Sequence, residues 1–186
     1  MSDVPSENLR RVLAYLAQKY GEPANHSATK IGAGIDGTVF YTTAATVVKA
    51  HVRESSYLKE VDAYDRLKEH SVVSVNGHAV PELLGSRDQL LVIEMTPVNE
   101  PFLLDFASSE LDIRTEFEPG AMAYWFKQRR SAFGTNWPAA LAIYNFLWER
   151  YGICYHDLTP KNCCFLKPGD DLPEEDVEWQ EDDDAN

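Results

Sequence analysis

The residues best suited to chemistry are Tyr155-His156-Asp157-Leu158-Thr159-Pro160-Lys161-Asn162, which run straight into the apolar stretch Cys163-Cys164-Phe165-Leu166. An Asp and an Asn five residues apart, in a proline-braced loop between a helical pattern and a strand-like one, can aim a carboxylate and an amide into one cleft. Asp157 is a candidate base and Asn162 a candidate metal ligand. Phosphoryl transfer asks a protein for little beyond positioning and charge neutralisation, so this pair suits such chemistry beside a nucleotide.

Two earlier segments supply what a nucleotide site needs. Gly32-Ala33-Gly34-Ile35-Asp36-Gly37-Thr38-Val39 fits G-x-G-x-x-G-x-V and lies between two strand patterns. That placement disfavours the dinucleotide fingerprint, which opens a long helix, and favours a flap over nucleotide phosphates. Lys49 follows the apolar pair Val47-Val48, so its ammonium should emerge from a strand facing the loop. Glu60, eleven residues on, sits in a helical pattern on the face of Ala63, Tyr64 and Leu67, which makes it a better partner than Glu54 or Glu69. A Lys–Glu pair would hold the ammonium against the α- and β-phosphates.

These residues need elements to position them. Apolar spacing predicts an amphipathic helix over 6–20, with Ser6 as N-cap and Gly21 past its end, packed on the body. Residues 31–42 and 46–51 read as a hairpin entered through the glycine-rich loop, 54–69 as a helix, and 81–85 and 89–95 as two more strands. Residues 97–120, with Pro97, Pro101 and Pro119, read as a connection and an insertion. A helical half starts near Gly120, and 138–151 reads as a central buried helix opened by Pro138 and closed by Gly152.

With 186 residues, 44% of them hydrophobic, the chain can bury a sizeable core. Residues 170–186 hold ten of the 30 acidic side chains and no Lys or Arg, so the net charge of −13 sits mainly in the tail. An acidic chain without a basic face is a poor partner for nucleic acid or an anionic membrane. Three cysteines, Cys154, Cys163 and Cys164, form neither a disulfide framework nor a metal spacing, which points to a reducing compartment. No apolar run reaches membrane-spanning length and no signal-like segment opens the chain, so the expected setting is the cytoplasm.

Taken in order, the glycine-rich loop, Lys49, Glu60, Glu94-Met95 and Tyr155–Asn162 resemble the protein kinase signature set. The resemblance covers roughly residues 28–166. It implies an α+β, two-lobed fold with a mixed N-lobe over 25–96 and a truncated helical C-lobe over 97–170; apolar spacing adds an N-terminal helix over 1–24, and composition an acidic flexible tail over 171–186. It further implies that Gly32, Gly34 and Gly37 cover the phosphates, that Glu94-Met95 form a hinge contacting adenine through backbone groups, and that Val39 and Cys164 line the adenine. Asp157 would be the catalytic base and Asn162 a ligand of Mg2+, with ATP as cosubstrate and a protein as acceptor or partner.

The sequence also departs from that pattern. Tyr155 replaces the usual His, His156 replaces the Arg that receives a regulatory phosphate, and Thr159 stands where a phosphate-steadying Lys is usual. A kinase supplies its second metal-binding Asp in D-F-G beyond the Asn, and this chain has no such tripeptide. Asp176 is the nearest candidate and Asp182 its rival. Three readings follow: a minimal ATP-dependent kinase acting on Ser or Thr, a pseudokinase serving as a nucleotide-binding or interaction module, and a small-molecule kinase. Pro160 and the lack of His-Gly-Asp count against the last.

Overall fold

The structure, a computed structural model, describes residues 6–21, 26–114 and 119–166. Among the described residues, four α-helices, α1 (Glu7–Tyr20), α2 (Glu54–Glu69), α3 (Pro119–Phe133) and α4 (Trp137–Tyr151), accompany eleven short strands. A five-stranded antiparallel sheet is built from β1 (Ala28–Ala33), β2 (Gly37–Thr42), β3 (Val47–His51), β6 (Leu83–Arg87) and β7 (Val92–Met95), in the order β1-β2-β3-β7-β6. The fold is mixed α+β, with an antiparallel sheet in the N-terminal region and a helical C-terminal part.

Period-two alternation in β3 and β7 splits the sheet into two apolar faces. Val48, Ala50 and Val92 point outward and meet Val12, Tyr15 and Leu16 of α1, with Phe40 completing this small core. Helix α1 forms where it does because the Ser6 hydroxyl accepts from the Leu9 amide at 3.3 Å and Gly21 closes the end at φ 93°, a region L side chains avoid. On the other face, Ile93 and Met95 join Tyr57, Ala63, Tyr64 and Leu67 of α2 in the main core, which continues into Ile143, Tyr144 and Leu147 of α4. In α4, Ala140, Ile143, Tyr144 and Leu147 are buried, and Trp137, Leu141 and Phe146 pack partly against the same core.

The segment expected as an irregular insertion carries paired structure. Two-residue strands β4 (Ser74–Val75) and β5 (His78–Ala79) make a tight hairpin around Asn76-Gly77. β5 runs parallel to β8 (Phe102–Leu103), which pairs antiparallel with β11 (Cys163–Cys164). β9 (Glu110–Leu111) pairs antiparallel with β10 (Ile153–Cys154). The chain between β8 and β9 is therefore clipped at both ends against the flanks of the Tyr155–Asn162 loop. The expected acidic tail, with Asp176 and Asp182, lies outside the described residues. Among the described residues no helix is long and apolar enough to cross a membrane.

Candidate functional site

A cavity of about 570 Å³ opens between the sheet and the helical part, a size suited to a small-molecule ligand. The glycine-rich turn between β1 and β2 forms one wall through Gly34, Ile35, Asp36, Gly37 and Val39. Gly37 is required there by close approach, since a Cβ would sit 2.4 Å from the Ala50 carbonyl oxygen, whereas Gly34 has open space around it. Asp36 anchors the turn to the start of α2. Its carboxylate accepts from Ser56 Oγ and Arg53 Nη2, both at 2.8 Å, and these bonds outweigh burial to hold its pKa below the usual value.

Lys49 projects from β3 into the cavity and is nearly buried. Its Nζ donates to Glu60 Oε2 at 2.6 Å and to Asp105 Oδ1 at 2.8 Å. Burial acts to lower its pKa; the two carboxylates outweigh that and raise it. Glu60 is 1% exposed, and Lys49 again outweighs burial to keep it ionised.

Asp105 is the residue that sequence reasoning missed. Its backbone is left-handed, φ 62°, a conformation Asp tolerates better than most residues. Leu104 N donates to Asn162 O at 2.7 Å, which sets Asp105 beside Asn162 as the β8–β11 pairing ends. Asp105, Leu104 and Asn162 all line the cavity. Phe106 is fully buried between Tyr64 of α2 and Tyr155, with ring centroids 5.2 and 5.1 Å away, so one aromatic column ties α2, this loop and the Tyr155–Asn162 stretch together. Tyr155 adds a hydrogen bond to Leu104 O at 2.5 Å. A signal was present: Asp105-Phe106-Ala107 differs from D-F-G by one residue, but it precedes the Asp157 loop instead of following it.

Asp157 stands next to this group. Ser108 N donates to Asp157 Oδ2 at 2.8 Å, and Asn162 Nδ2 donates to Asp157 O at 3.0 Å. Burial and the neighbouring Asp105 charge push its pKa up, the direction that makes a carboxylate a stronger base. His156 faces inward, its Nδ1 2.9 Å from Ser108 O and its Nε2 3.2 Å from Cys154 Sγ. The hydrogen bond with Cys154 raises its pKa against the effect of burial.

The structure thus brings together Gly34, Gly37, Val39, Lys49, Glu60, Met95 and Asn162 in the cavity wall. Gly32, Glu94, Asp157 and Cys164 are not among its lining residues. Met95 and Glu94 are neighbours on one strand, so their side chains take opposite faces. The Glu94 carboxylate is fully buried on the α1 side, where it accepts from Lys19 at 2.5 Å, Thr46 at 2.7 Å, Tyr20 at 2.9 Å and Tyr15 at 3.0 Å. Its backbone is flanked by Val48 of β3 and Gly85 of β6, so it is part of the sheet and not of a free connection. Thr96, Pro97 and Val98, just past β7, are the connecting residues that reach the cavity. Cys164 Sγ turns to Phe165 O at 3.7 Å.

No cluster of three or more His, Cys, Asp or Glu that could hold a metal occurs among the described residues. Three carboxylates and one amide line the cavity; Glu60 is held by Lys49 and His51 and Asp36 by Arg53 and Ser56, which leaves Asp105 and Asn162 as the candidate pair. These are hard oxygen ligands, and Mg2+ usually keeps waters and substrate phosphates in its shell, so two protein ligands fit it.

No family model and no curated protein matches the chain. Among solved structures, the streptomycin–ATP–APH(2")-IIa ternary complex is similar over 53% of this chain, at 14% identity and a TM-score of 0.39. The matched part is 30% of that protein's chain.

Proposed function

We propose that the chain is an ATP-dependent phosphotransferase with a kinase-like site, acting on a hydroxyl acceptor of the Ser or Thr kind. The observation that carries this reading is the meeting of Lys49 with Glu60 at 2.6 Å and with Asp105 at 2.8 Å, beside Asn162 in one cavity. In the proposed reaction the Gly34–Gly37 turn covers the phosphates and Lys49, kept charged by its two carboxylates, binds them. Met95 and Val39 line the space for the base. Asp157 accepts the acceptor's hydroxyl proton, and its raised pKa improves its strength as a base. Asp105 and Asn162 would hold Mg2+, which, when bound, neutralises charge on the phosphates.

On this reading Asp105-Phe106-Ala107 takes the part that kinases give to D-F-G, by another chain path. In kinases the tripeptide follows the catalytic loop through a hairpin. Here it comes first, and the antiparallel pairing of β8 with β11 returns the loop to it. The same route makes a carboxylate from the tail unnecessary beside Asn162. The inward-facing His156, held by Ser108 and Cys154, favours a site that needs no phosphate on a regulatory loop.

The test is a thermal melt with and without magnesium-ATP. At nucleotide a hundredfold above Kd, the melting temperature should rise by roughly 5–10 °C, and Lys49→Ala should remove most of that rise. A wild-type protein with no shift at millimolar nucleotide contradicts the reading.

A further inference from the structure

We infer that His51 is a positioning residue for nucleotide binding, acting through Glu60 and braced from behind by helix α1; this rests on the phosphotransfer reading above. Glu60 uses a single oxygen, Oε2, to accept from Lys49 Nζ and from His51 Nε2, each at 2.6 Å. His51 and Glu60 are 0% and 1% exposed, so water does not compete for either bond. An ionised carboxylate only accepts, so the Nε2 atom carries the hydrogen.

His51 solves a competition that the Lys49 contacts create. Lys49 has two carboxylate partners, and one of them, Asp105, is the group proposed to hold the metal. If only Lys49 held Glu60, the α2 carboxylate would be free to swing and the ammonium free to settle on Asp105. His51 gives Glu60 a second donor on the same strand as Lys49, two residues on, so the carboxylate stays where Lys49 can meet it. Helix α2 is then fixed to the sheet whether or not a nucleotide is present.

The histidine is itself held on every other side. Its backbone N donates to Leu91 O at 2.8 Å, its Nδ1 lies 3.3 Å from the same oxygen, and the Tyr57 ring meets it edge-on at 5.6 Å. Arg11 of α1 reaches over the sheet edge and donates to His51 O at 2.7 Å and to Leu90 O at 2.8 Å. Asn8 Oδ1 accepts from the same guanidinium at 2.6 Å. Helix α1 thus pins the end of β3 to the turn before β7, and the line Arg11–His51–Glu60–Lys49 runs from the outer helix to the cavity.

The experiment compares His51→Leu, His51→Gln and Arg11→Leu with the wild type, by titration of a fluorescent ATP analogue with magnesium and by kcat and KM. Circular dichroism and melting without nucleotide confirm that each variant is folded. Gln places an N–H donor near the position of Nε2, and Leu does not. The expected result is a Kd and a KM for nucleotide about tenfold higher in His51→Leu, the size of one lost bond to a charged group. His51→Gln should stay within about threefold of wild type, and Arg11→Leu should fall between the two, since it loosens the strand end without removing the donor. Wild-type affinity in His51→Leu, or a Gln variant as weak as the Leu one, overturns the inference while Lys49→Ala still abolishes binding. If His51→Leu fails to fold, wild-type affinity in Arg11→Leu together with a weak Gln variant overturns it. Lys49→Ala binding as tightly as wild type, or no binding in the wild type, would instead remove the phosphotransfer reading, and this inference with it.

Discussion

Two carboxylates are buried against the central sheet, one on each face, and each is paired with a lysine. Glu60 meets Lys49 at 2.6 Å on the cavity side, and Glu94 meets Lys19 at 2.5 Å on the α1 side. The difference lies in what surrounds them. Glu94 takes four donors, Tyr15, Lys19 and Tyr20 of α1 and Thr46 of the β2–β3 turn, and does not line the cavity. Glu60's lysine is shared with a second carboxylate and faces a cavity. A buried ionised group with all its bonds made internally is a fastening; one whose partner keeps a charge open to a cleft is prepared for a ligand.

The largest effect that sharpens this contrast is on the cavity side. Asp157→Asn should lower phosphate incorporation by about 10²–10⁴-fold, the usual weight of a general base, with magnesium-ATP affinity little changed. The same change should raise the melting temperature slightly. The folded-state pKa of Asp157 is raised, so its ionised form costs stability at neutral pH, and an amide does not carry that cost. Equal incorporation by wild type and variant would show that Asp157 is not the base.

On the α1 side the expected loss is of stability alone. Glu94→Ala removes the acceptor of four donors, with the buried Tyr15 hydroxyl the worst placed to find another, and should cost about 2–4 kcal/mol in urea unfolding. Any nucleotide affinity that survives in the folded variant should match the wild type; a selective loss of affinity would erase the distinction between the two faces.

A smaller effect appears with pH. Hydrogen bonds from Lys19, Thr46 and Tyr20 outweigh burial and hold the Glu94 pKa below its ordinary value. Its stabilising contribution is therefore complete above the unfolded-state pKa of about 4.3 and is lost as pH falls through the folded one. Between about pH 4.3 and lower values, the wild type should lose stability more steeply than Glu94→Gln. Parallel curves would mean the carboxylate is not held ionised.

Much of this was legible because the cues were local. Ser6 and Gly21, or Pro138 and Gly152, bound their helices through capping geometry that a short window reveals. The Lys49–Glu60 spacing follows from one strand leading into one helix. The tripeptide Asp105-Phe106-Ala107 was in view, but its place beside Asn162 was not legible, for the opposite reason: β8 and β9 are two residues long, too short for any period, and their partners β11 and β10 lie more than forty residues on. At Glu94-Met95 strand alternation sends neighbouring side chains to opposite faces, so Met95 lines the cavity and the Glu94 carboxylate lies on the α1 side.

The central claim is that Asp105, not a carboxylate from the tail, completes the site with Asn162. It is tested most directly by measuring ATP affinity with and without magnesium in the wild type, Asp105→Ala and a chain ending at residue 166. The account predicts that magnesium tightens binding in the wild type and in the shortened chain, and does not do so in Asp105→Ala. Magnesium dependence that survives in Asp105→Ala, or that disappears with residues 167–186, would contradict it.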